Sequence, residues 1–66
     1  MTTHYDNKKR AFIMLRQNLA ASPQTIEDMH RKVALEFGFG RKFVLEFLEL
    51  HEGAIVQVGD AYEWKA

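Results

Sequence analysis

Apolar residues recur at helical spacing from the start of the chain. Phe12, Leu15 and Leu19 fall at i, i+3 and i+7, while Lys9, Arg10, Gln17 and Asn18 mostly lie elsewhere, which predicts an amphipathic helix over about residues 5–21. Ser22-Pro23 interrupts it, because proline disfavours a helical residue before itself and has no backbone N–H to donate. Thr25-Ile26-Glu27-Asp28 then opens a second helix, about 25–37: the threonine oxygen caps free amides of the first turn and two acids complement the positive end of the helix dipole. Its apolar positions Ile26, Met29, Val33 and Phe37 share one face, leaving Asp28, Arg31, Lys32 and Glu36 largely to solvent. Gly38-Phe39-Gly40 stops it, with glycines that permit a tight reversal and a phenylalanine able to plug the gap between neighbouring helices.

A third helix, about 41–52, carries Phe43, Val44, Phe47, Leu48 and Leu50, so it is apolar over more than half its circumference and is expected to be the central packing element. After Gly53 the period changes. β-branched Ile55, Val56 and Val58, then Gly59-Asp60, then Ala61-Tyr62-Glu63-Trp64-Lys65 predict a β-hairpin over about 54–65. A two-residue Gly-Asp loop pairs Val58 with Ala61, Gln57 with Tyr62 and Ile55 with Trp64. Ile55 and Trp64 then share the face that closes over the helices, and Trp64 is expected to be buried against helix one.

With 66 residues, 47 % of them hydrophobic, the chain has room for a single domain. A chain this short buries only ~60 % of its unfolded surface, so its core must be dense in large apolar groups, which five Phe, two Tyr and one Trp supply. Cysteine is absent, which excludes disulfides and thiolate metal sites and fits a reducing compartment. The apolar run Ala11 to Leu15 is far shorter than a signal-peptide core or the ~20 residues of a membrane span. The expectation is a soluble cytoplasmic protein with no membrane partner.

Helix, capped helix, glycine turn, helix and hairpin is the element order of the winged-helix branch of helix-turn-helix domains, which the chain resembles over nearly its whole length. Ile26 with Met29 and Val33-Ala34 resembles the core side of that superfamily's second helix. Gly38-Phe39-Gly40-Arg41-Lys42-Phe43-Val44 resembles its turn and the start of its recognition helix. Gly53-Ala54-Ile55-Val56 with Gly59-Asp60-Ala61-Tyr62 resembles its helix exit and wing. The fold class implied is mainly α with a small β-hairpin: three helices followed by a two-stranded C-terminal wing. The function implied is DNA binding, with the third helix in the major groove and the wing beside the backbone.

On that reading the chain is a small transcriptional regulator acting as a dimer, and duplex DNA is its partner. Arg41 and Lys42 make the contacts at the start of helix three, Gln57 and Tyr62 flank the backbone, and Lys8, Lys9 and Arg10 supply distant electrostatics. Charge pulls the other way. Nine basic residues balance nine acidic ones, and the basic excess lies in residues 1–21 rather than in helix three. Glu46, Glu49 and Glu52 would face a polyanion, whereas DNA readers usually show a basic stripe. The alternative is a winged-helix module whose third helix binds a protein or its own copy. Leu45, left outside by simple three-helix packing and rimmed by Glu46 and Glu49, carries that reading. A homodimer would also relieve the small core.

Enzyme chemistry finds no footing in the residues. His4, His30 and His51 lie in separate elements without i+4 pairing, which fits surface or interface histidines better than metal ligands. The lone Ser22 precedes a proline and has no nucleophile elbow around it. Gly38-x-Gly40 lacks the strand, later glycine and lysine of a phosphate loop. No catalytic residue, metal, cofactor or small-molecule substrate is expected.

Overall fold

The computed structural model describes residues 4–65. Three helices, α1 (His4–Ala21), α2 (Ile26–Phe37) and α3 (Arg41–Leu50), precede a hairpin of β2 (Ile55–Val58) and β3 (Ala61–Trp64), a mainly helical, winged-helix-like layout. A two-residue strand β1 (Gln24–Thr25) adds to the hairpin, giving a three-stranded antiparallel sheet in the order β1-β3-β2. Gln24 pairs with Tyr62 and Thr25 with Ala61. The hairpin register is the one that a Gly-Asp loop demands: Ile55 with Trp64, Gln57 with Tyr62, Val58 with Ala61. Gly59 takes the left-handed conformation (φ 66°) that the reversal requires.

Local chemistry sets the helix ends. The Thr25 hydroxyl accepts from the Asp28 N–H at 3.1 Å and the Asp28 carboxylate accepts from the Thr25 N–H at 3.2 Å, a reciprocal capping box that starts α2. At the other end Gly38 adopts φ 73° and donates its N–H to the Ala34 carbonyl at 3.0 Å. Helix α3 ends at Leu50, two residues short of the expected limit. The Ala54 N–H bonds the His51 carbonyl at 2.9 Å, tightening Glu52–Ala54 into a 3-10 turn that swings the chain into β2. Glu52 therefore leaves the helix and its face.

The core is one cluster of Ala11, Leu15 and Leu19 from α1, Met29 and Val33 from α2, and Phe43, Val44 and Phe47 from α3. Along it runs a file of rings. Phe37 stacks on Phe39 (5.8 Å between centroids), Phe39 on Phe43 (4.5 Å), Phe43 on Phe12 (4.7 Å) and Phe12 on Phe47 (5.8 Å). His51 continues the file at 4.9 Å from Phe47, and Trp64 closes it at 5.6 Å from His51. Phe39 thus fills the corner between α2 and α3, as its place between two glycines predicted. Trp64 does pack on the core, but it is half-buried rather than buried; the Arg16 guanidinium of α1 lies 5.7 Å from the centre of its ring. No described helix is long and apolar enough to cross a membrane.

Candidate nucleic-acid interface

Two hollows flank α3, and they divide the residues singled out in the sequence. The first, of about 370 Å³, lies where the start of α3 meets the hairpin and the start of α2; its walls are Arg41, Gln57, Tyr62, Asp60 and the segment Thr25-Ile26-Glu27. The second, of about 390 Å³, runs along the outer side of α3 between Lys42, Leu45, Glu46, Glu49 and Leu50. Arg41 and Lys42 are neighbours in sequence but about 100° apart around the helix. The structure therefore puts Arg41 beside Gln57 and Tyr62 and puts Lys42 with Leu45, Glu46 and Glu49, so the four expected DNA contacts do not share one hollow.

Each side chain in the first hollow is aimed by a different element. Tyr62 is on the central strand β3, flanked by Gln24 on one side and Gln57 on the other, and its ring packs against the core from a half-buried position. Gln57 is exposed on β2, where its side-chain amide donates to the Gly59 carbonyl at 3.1 Å and so leans toward the turn. Arg41 is exposed at the first position of α3. Beside them, α2 begins with its dipole and first-turn amides, and the Asp28 carboxyl is held below its ordinary pKa of 3.8 by the hydrogen bond from the Thr25 N–H and then the one from its hydroxyl, with Arg31 and Lys32 adding attraction. Glu27 and Asp60 bring two carboxylates to the rim of the same hollow.

The basic start of α1 does not stand apart as distant charge alone. The Lys8 ammonium forms an ion pair with the Glu46 carboxylate at 2.8 Å, both side chains remaining more than a third exposed. That contact changes the charge of α3: Glu46 is paired, Glu52 belongs to the 3-10 turn, and Glu49 is the acid of the outer face that has no ion pair among the described residues. Lys9 and Arg10 are exposed. Leu45 is 46 % exposed, as expected of an aliphatic side chain outside the three-helix packing, and Leu50, counted among the packing residues of α3, is 63 % exposed as well.

Sequence reasoning missed four contributors to the first hollow: Thr25, Ile26 and Glu27 around the start of α2, and Asp60 in the hairpin turn. Thr25 and Glu27 are legible as the cap and first turn of α2, but their place beside the hairpin depends on Gln24–Thr25 pairing with β3, and two residues are too few to read as a strand. Among the described residues no three His, Asp or Glu side chains come together as a metal site. Comparison of the chain with protein-family models, with curated proteins and with solved structures gives no match. The reading of function therefore rests on this geometry.

Proposed function

We propose that the chain is a small DNA-binding protein of the regulatory kind, meeting duplex DNA with the start of α3 and the adjoining hairpin. The observation that carries the reading is the convergence of Arg41, Gln57 and Tyr62, from α3, β2 and β3, on one concave surface. Arg41 supplies a planar fork of donors suited to a phosphate or to the O6 and N7 edge of guanine. Gln57 and Tyr62 add an amide and a hydroxyl of the type that bonds backbone phosphates. Lys42, one turn-quarter away, is exposed at the same end of α3 and can reach the next phosphate.

The Lys8–Glu46 pair and the departure of Glu52 into the 3-10 turn lessen the charge objection raised by the sequence, although the pair also occupies one of the cations of α1. Glu27 and Asp60 keep the surface from being a general polyanion trap, so the expected mode is a few fixed contacts with moderate affinity. Lys9 and Arg10 add long-range attraction. The second reading, a protein partner on α3, draws on the exposed pair Leu45 and Leu50 in the outer hollow. Amide chemical-shift mapping with a mixed-sequence duplex separates the two. Shifts at Arg41, Lys42, Gln57 and Tyr62 are expected; an unperturbed spectrum at low salt would reject the DNA reading.

A further inference from the structure

The outer face of α3 has a property that a DNA surface does not need: it is complementary to itself. Lys42 and Glu49 are seven residues apart, two helical turns, so they lie on one line along α3 about 10 Å from each other, with Leu45 close to midway between them. A positive end, an apolar middle and a negative end match their own image when turned end for end. In an antiparallel pair of α3 helices related by a two-fold axis, Lys42 of each copy meets Glu49 of the other, and the two Leu45 side chains meet at the axis. Glu46, also near that axis, would set two carboxylates against each other, but each is already engaged by Lys8 of its own chain at 2.8 Å. Leu50 borders the same hollow and enlarges the apolar area that pairing removes from water.

We propose that a second copy of this chain docks on α3, helix against helix and antiparallel, through Lys42, Leu45 and Glu49. The charge arrangement is what selects a copy over an unrelated protein. Self-association and duplex DNA then compete for Lys42, so the dimer is the DNA-free form; that consequence rests on the DNA reading, while the pairing itself does not.

Sedimentation equilibrium at submillimolar concentrations tests it with four proteins: the natural chain, Lys42→Glu, Glu49→Lys and the double exchange. Circular dichroism checks that each is folded; both substituted positions are exposed. The natural chain is expected to show a monomer–dimer equilibrium. Each single exchange turns two attractive contacts into two repulsive ones and should weaken association by about tenfold or more, and the double exchange should restore it to within about threefold. A natural chain that stays monomeric throughout, or a folded double exchange that fails to recover, overturns the proposal. Anisotropy with a labelled duplex keeps the two ideas apart. Glu49→Lys should lose self-association yet bind DNA more tightly, and absence of DNA binding in every variant alongside the charge-exchange pattern would sink only the DNA reading.

Discussion

Replacing Phe47 by alanine removes the ring through which α3 grips both α1 and the end of the sheet. Phe47 is fully buried, stacks on Phe12 and lies 4.9 Å from His51, which in turn abuts Trp64. A buried phenylalanine takes about 150–250 Å² out of water, and truncating one to alanine costs about 3–5 kcal/mol, cavity included. A 66-residue chain at about 0.05–0.15 kcal/mol per residue has a total of about 3–10 kcal/mol to lose. The variant should therefore lose from about a third to all of the natural stability. Urea titration followed by far-UV circular dichroism measures this, with Leu35→Ala as the comparison. Leu35 is just as apolar but 80 % exposed, and its truncation should change stability by no more than about 0.5 kcal/mol. A loss below about 1 kcal/mol for Phe47→Ala, or equal losses for the two, would refute a core centred on the ring file.

Thr25→Ala should cost about 1 kcal/mol in the same titration, because it removes the hydroxyl that caps α2. Since the folded state holds the Asp28 pKa below 3.8, its carboxylate stabilises the fold fully above that value and loses the contribution as pH falls through the lowered pKa; Asp28→Asn should accordingly show a flatter decline below about pH 4 than the natural chain. Gly38→Ala should cost about 1–2 kcal/mol although nothing lies near its added methyl, since φ 73° is the whole penalty, whereas Gly53→Ala, with equally open space and no positive φ, should stay within about 0.5 kcal/mol. Glu46→Gln should leave stability within about 1 kcal/mol, because its pair with Lys8 is exposed, and should strengthen duplex binding by freeing a cation and deleting an acid; anisotropy and urea titration on one sample check both halves.

What the sequence disclosed and what it hid follow the range of the interactions involved. The α2 cap was legible because Thr25 and Asp28 are three residues apart and act on each other's backbone. The hairpin register was legible because a two-residue loop leaves a single pairing. Phe39 between two glycines announced its corner for the same local reason. Strand β1 was hidden, since two residues carry no periodicity and their partners Ala61 and Tyr62 lie more than thirty-five positions on. The early end of α3 was hidden because Gly53 is the nearest stop signal in the sequence, while the helix yields first to the His51–Ala54 hydrogen bond. For the candidate site, the residue types were legible but not their grouping. Which way Arg41 and Lys42 diverge depends on how α3 is rotated against the core, and that rotation is fixed by Phe43, Val44 and Phe47 packing on α1 and α2. The Lys8–Glu46 pair, joining residues thirty-eight apart, depends on the same packing.

The most direct test of the central claim is fluorescence anisotropy of a labelled mixed-sequence duplex, titrated with the natural chain and with Arg41→Ala at 50 and 200 mM salt. Two phosphate contacts, from Arg41 and Lys42, give a slope of about −1.8 in log affinity against log salt, so binding should weaken about twelvefold between the two conditions. Losing one contact should halve the slope and reduce that ratio to about 3.5-fold for Arg41→Ala, which should also bind more weakly at 50 mM. Failure of the natural chain to bind at 50 mM salt, or an Arg41→Ala variant with unchanged affinity and slope, would contradict the assignment of this surface to DNA.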